Sequence, residues 1–171
     1  MNLILIGPMG AGKSTLAKLL AHQLQLAWID LDAAIVAKAG CAIPEIFQTK
    51  GEGAFRDLES ELLQKCCTEQ HAQIIATGGG AVLRAQNRAI MQQYGAVVWL
   101  DIAPEISSQR IAGDTNRPLL AGASALERAQ TLALERNPLY ASIAAFTINT
   151  GEYSPQASVA RIVTFYRGLS A

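Results

Sequence analysis

Five short apolar runs punctuate the chain, and each closes on small or acidic residues. Leu3-Ile4-Leu5-Ile6 stops at Gly7, and Ala27-Trp28-Ile29 stops at Asp30. Gln73 to Ala76 runs into Thr77-Gly78-Gly79-Gly80, Ala96 to Leu100 stops at Asp101, and Phe146 to Asn149 stops at Thr150-Gly151. Continuous apolar runs of this length suit strands covered on both faces, as in a parallel sheet. Between the runs the apolar spacing turns helical. Leu16, Leu19, Leu20 and Leu24 share one side of a helix. Glu52 to Cys66 carries Phe55, Leu58, Leu62 and Leu63, and Pro44 suits a helix first turn. Ala125 to Asn137 carries Leu126, Leu132 and Leu134, with Pro138 as the expected stop.

Strands alternating with helices predict a three-layer α/β fold. Its sheet of five parallel strands is flanked by helices through right-handed crossovers. Ligands in such sheets lie beyond the carboxyl ends of the strands. The glycine and aspartate clusters therefore mark the face where chemistry belongs. Residues about 112–124 (AGDTNRPLLAGAS) break the alternation with small residues around one arginine, and a loop of that kind is expected to be a functional lid. A single domain over 1–171 is expected.

Composition narrows the function classes. Lys plus Arg and Asp plus Glu both number 14, so no broad basic face is available for nucleic acid. No apolar run reaches the roughly 18 residues a membrane helix needs. The opening residues read as a strand, not a leader. Cys41, Cys66 and Cys67 lack zinc spacing and read as reduced thiols. A cytoplasmic monomer is the expectation, with no nucleic-acid or membrane partner.

The chemistry begins at Gly7-Pro8-Met9-Gly10-Ala11-Gly12-Lys13-Ser14, a GxxxxGK[ST] loop between a strand and a helix. Glycines let backbone N–H groups turn toward phosphate, and the helix behind them offers its positive end. Lys13 can neutralise β- and γ-phosphate charge, and the Ser14 hydroxyl can ligate Mg²⁺. The loop implies a nucleoside triphosphate without naming the acceptor. Asp30 and Asp32, read as extended, point to one side. One suits a Mg²⁺ shell; the other can take a proton from an acceptor hydroxyl. A plain helix cap is the alternative for Asp32. Gly78, Gly79 and Gly80 allow either close ligand approach or positive φ, and a tight turn is the alternative. Arg117 can close over transferring phosphate, and Arg110 can stack on a base. Arg56 and Arg136 share a purpose if the acceptor carries a carboxylate.

Taken together these motifs resemble the shikimate kinase family along nearly the whole chain. The match runs through GPMGAGKST, the two aspartates, GEGAFR ending at Arg56, ATGGG, NRPLL around Arg117, and LERNPLY around Arg136. The resemblance implies a nucleoside monophosphate kinase-like fold and transfer of the ATP γ-phosphoryl to the 3-hydroxyl of shikimate, on the route to chorismate and the aromatic amino acids. It implies that Gly10, Ala11, Gly12, Lys13, Ser14 and Thr15 hold ATP phosphates, with Ser14 and Asp30 at Mg²⁺. Arg110 and Pro155 would sandwich adenine. Asp32 would hold shikimate hydroxyls and act as base. Arg56, Arg136 and the Gly78–Gly80 backbone would hold shikimate, and Arg117 would reach the phosphates. The resemblance also implies a substrate-binding helical segment at about 33–62. Leu31 and the stretch Phe47-Gln48-Thr49-Lys50 depart from the family pattern and leave acceptor choice more open. A gluconate- or nucleotide-directed kinase and an idle nucleotide-binding module are the competing readings. Arg56, Gly78–Gly80 and Arg136 together disfavour the first, and intact Lys13, Asp30 and Asp32 disfavour the second.

Overall fold

The computed structural model describes residues 1–112 and 124–169; the expected lid and Arg117 lie outside them. Strands β1 (Asn2–Ile6), β2 (Ala27–Asp30), β3 (Gln73–Ala76), β4 (Gly95–Asp101) and β5 (Phe146–Asn149) form one parallel sheet in the order β2-β3-β1-β4-β5. Seven α-helices are described: α1 (Lys13–Leu24), α2 (Leu31–Ala39), α3 (Ile43–Cys67), α4 (Ala85–Tyr94), α5 (Pro104–Ile111), α6 (Ala125–Ile143) and α7 (Pro155–Gly168). Among the described residues, no helix is long and apolar enough to cross a membrane.

Strand β1 is central and buried along its whole length. Its alternate side chains feed two cores, one on each face. Leu3 and Leu5 pack with Leu16 and Leu20 of α1 and Ile162 of α7. Ile4 and Ile6 pack with Ile35 of α2, Leu63 of α3, Met91 of α4 and Tyr140 of α6. Each such aliphatic side chain contributes about 1.5–3 kcal/mol by leaving water. The Asn2 amide ties the layers together at the far end of the sheet. Its Nδ2 donates to the Cys67 and Tyr94 carbonyls at 2.9 and 3.2 Å, and its Oδ1 accepts from the Gln73 N–H at 3.1 Å.

Three local expectations are corrected. Strand β2 is not covered on both faces: it is an edge strand with Ala27 and Trp28 exposed. The chain is not extended through Asp32, because α2 already starts at Leu31. Asp30 caps that helix, accepting the Ala33 N–H at 3.2 Å, so the cap is Asp30 and not Asp32. Pro138 does not end α6, which continues to Ile143. A proline disturbs the carbonyl four residues earlier. Here that residue is Leu134, whose side chain is 82% exposed, so the loosened turn faces solvent. Helix α3 is kinked at Gly51, where φ is +81°.

Candidate active site

The phosphate loop is built around backbone that only glycine tolerates. Gly7 has φ +141°, and a Cβ there would stand 2.4 Å from the Leu100 carbonyl oxygen. Gly12, at φ +88°, caps α1 and itself brings no side-chain cap. The first amides of α1 are thus left for a ligand. Lys13 Nζ donates to the Gly7 and Pro8 carbonyls at 2.7 and 2.8 Å, lying back over the loop. The outer arm of the loop is held by α5: Ser107 Oγ donates to the Met9 carbonyl at 2.8 Å, and Arg110 to the Gly10 carbonyl at 3.2 Å. Arg110 also donates to the Thr150 carbonyl at 2.8 Å, bridging the loop to the turn after β5.

The loop forms one side of a cleft of about 530 Å³ at the carboxyl ends of the strands. Lys13, Ser14, Thr15, Asp30, Asp32 and Gly79 line it, and so do Arg110 and Pro155. Ser14 Oγ donates to Asp30 Oδ2, so two oxygen donors meet at the foot of the loop. Asp32 stands one helical step further on, in the first turn of α2.

The remaining expected residues gather behind Asp32. The glycine triplet works by close approach, since none of the three has positive φ. A Cβ on Gly78 would stand 2.8 Å from Asp32 Oδ1 and 2.9 Å from Glu59 Oε1. One on Gly80 would stand 2.4 Å from Arg56 Nη2. Arg56 and Arg136 do not line the cleft proper. They converge on two groups that were not singled out from the sequence, Glu59 and Tyr140.

Glu59 is fully buried; Arg56 Nη1 donates to its Oε2 at 2.7 Å. Among the described residues its Oε1 has no hydrogen-bond partner. Burial pushes the Glu59 carboxyl up from the usual 4.5, with Asp32 adding to the rise and the Arg56 and Arg136 guanidiniums opposing it. Its signal in the sequence was an acidic residue inside the apolar stripe of Phe55, Leu62 and Leu63. Tyr140 is also fully buried, one turn after Arg136, and donates to the Gly79 carbonyl at 2.5 Å. Burial pushes its hydroxyl up to about 12, against the charge and hydrogen bonding of Arg136.

The sequence profile of the shikimate kinase family matches residues 9–167. A shikimate kinase from Thioalkalivibrio sulfidiphilus is 45% identical over 166 residues, covering 97% of this chain and 87% of its own.

The chain belongs to the shikimate kinase family.

Shikimate kinases of known structure superpose closely. One from Acinetobacter baumannii, solved in complex with shikimate, aligns with a TM-score of 0.92 at 36% identity over 98% of this chain and 93% of its own. One from Bacteroides thetaiotaomicron aligns with a TM-score of 0.90 at 30% identity over 98% of both chains. Membership makes this chain an ATP-dependent small-molecule kinase. The departures at Leu31 and Phe47 stand away from the cleft. Leu31 is fully buried in the core, and the Phe47 ring packs on Phe55 at 4.8 Å.

Proposed function

We propose that the cleft transfers the γ-phosphoryl of ATP to the 3-hydroxyl of shikimate, giving shikimate 3-phosphate and ADP. The observation that carries this reading is the meeting of Lys13, Ser14, Asp30, Asp32 and Gly79 in one cleft. The phosphate loop takes the triphosphate, its amides and the α1 N-terminus facing the charge. Lys13 leaves its carbonyls for the β- and γ-phosphates. Ser14 and Asp30 are hard oxygen donors already in contact, which fits Mg²⁺, an ion bound through one or two carboxylates with phosphates and water. Bound there, it neutralises phosphate charge.

On the acceptor side Asp32 accepts the hydrogen bond of the attacking hydroxyl and takes its proton. Arg56, Arg136 and the backbone at Gly78–Gly80 grip the rest of shikimate, with guanidinium on carboxylate. Arg110 and Pro155, which also line the cleft, take the adenine. Transfer then rests on position and charge more than on covalent chemistry. We place the enzyme in the cytoplasm as a monomer; three unbridged cysteines agree with a reducing compartment.

The test is ADP release measured with ATP and Mg²⁺ in the presence of shikimate, gluconate or a nucleoside monophosphate. Release that depends on shikimate alone is expected. Release that follows gluconate or the nucleotide, and ignores shikimate, overturns the reading.

A further inference from the structure

Tyr140 joins the two halves of the site. Its hydroxyl holds the Gly79 carbonyl at 2.5 Å across the sheet end. That carbonyl belongs to the peptide plane whose N–H is that of Gly80, so fixing one end fixes the other. Behind Gly80 lies the Arg56 guanidinium, with no room even for a methyl group between them. In front of Gly79 lies the phosphate loop: a Cβ on Gly79 would meet the Gly7 carbonyl oxygen at 3.5 Å, the Met9 nitrogen at 3.6 Å and the Tyr140 hydroxyl at 3.7 Å. On its own helix Tyr140 follows Arg136 by one turn, and the Arg136 charge opposes the effect of burial on its hydroxyl. The ring is wedged against Trp99 of β4, centroids 5.8 Å apart. One hydroxyl on α6 therefore reaches the glycine triplet and, through it, the loop beside it.

We propose that Tyr140 is a positioning residue for phosphoryl transfer: its hydroxyl locks the Gly79–Gly80 peptide so that Arg136, Arg56 and the phosphate loop keep one spacing. The proposal rests on the reading of the cleft given above. Transfer between two bound reactants falls steeply with small displacements. A half-buried carbonyl left without its donor is free to turn toward water in the cleft. A buried tyrosine that merely satisfied its hydroxyl would carry no such consequence for the acceptor.

Tyr140→Phe keeps the ring against Trp99 and deletes only the hydroxyl. ADP affinity by calorimetry should stay within twofold of the parent. The kcat/KM for shikimate should fall roughly 10- to 100-fold. Hydrogen exchange at the Gly79 and Gly80 amides should accelerate about tenfold or more, while β1 amides stay protected. Two outcomes overturn the proposal. One is unchanged exchange and unchanged kcat/KM. The other is loss of ADP affinity in step with shikimate, misfolding included, since the hydroxyl would then be a general structural prop. If the parent releases no ADP with shikimate, the reading of the cleft fails instead. The exchange at Gly79 and Gly80, with ADP affinity, then decides the role of Tyr140 alone.

Discussion

The Ser14 hydroxyl donates to the Asp30 carboxylate, so the first turn of α1 and the end of β2 meet in one contact. Asp30 has a second duty there, as the cap of α2. Asn caps a helix about as well as Asp. Asp30→Asn should therefore fold like the parent and fail as a metal ligand. The expected result is a kcat at least about tenfold lower and a higher Mg²⁺ concentration for half-maximal rate. A Mg²⁺ titration of ADP release reads both, and an unchanged titration curve would remove Asp30 from the metal.

In the proposed reaction Lys13 and Arg136 serve opposite substrates and should fail differently. Lys13→Ala should lower kcat by about a hundredfold or more while the thermal transition survives. Arg136→Ala should raise the shikimate KM about tenfold or more, with the ATP KM little changed. Steady-state kinetics varying each substrate in turn separates the two. An Arg136 effect confined to ATP would show that its side of the cleft is wrongly assigned.

Glu59 gives the fold a pH signature. Its carboxyl is raised by burial, so the folded state holds that proton more tightly than the unfolded chain. Its stabilising contribution is fully present below the usual 4.5 and is lost as pH rises through the elevated folded value. Glu59→Gln keeps the shape without titrating. Gln stands in for the protonated acid beside Arg56, so whatever the swap itself costs is the same at every pH in this range. The Tm of the variant minus that of the parent should climb from acid to neutral pH and then level. Each kcal/mol of linkage moves Tm by roughly 2–4 °C. A difference that stays flat would show that Glu59 ionises normally.

The thiols should divide by burial. Cys66 and Cys67 are buried and Cys41 is half-buried. Burial pushes the Cys66 thiol up and the Cys67 thiol up to about 12. A thiol that stays protonated does not attack. Thiol titration at mildly alkaline pH should find one fast group in the native protein and three after denaturation. Three fast groups would mean that the end of α3 opens in solution.

The sheet and the phosphate loop could be read from the amino-acid order because both are local signals. A short apolar run closing on Gly7, followed by Gly12-Lys13-Ser14, needs no distant partner to be recognised. Boundaries were harder. Asp30 looked like the middle of an extended pair until its side chain proved to cap the helix that Leu31 begins. Pro138 looked like a stop because composition does not say which side of a turn faces water. Glu59 and Tyr140 escaped for a different reason. Each matters through a contact with a remote backbone or charge, Glu59 through Arg56 and the space beside Gly78, Tyr140 through Gly79. Such contacts appear only once the helices are laid on the sheet.

The first strand in chain order is the middle strand of the sheet, and its partners come much later. Ile4 pairs with Ile75 on one side and Val97 on the other. Leu3 to Ile6 therefore keep an open edge until Val97 has been made, a slow, non-local assembly that exposes an aggregation-prone ribbon meanwhile. The phosphate loop next to that ribbon precedes Gly95–Asp101 in the chain, and Gly7 fits its place only against Leu100 of that later strand.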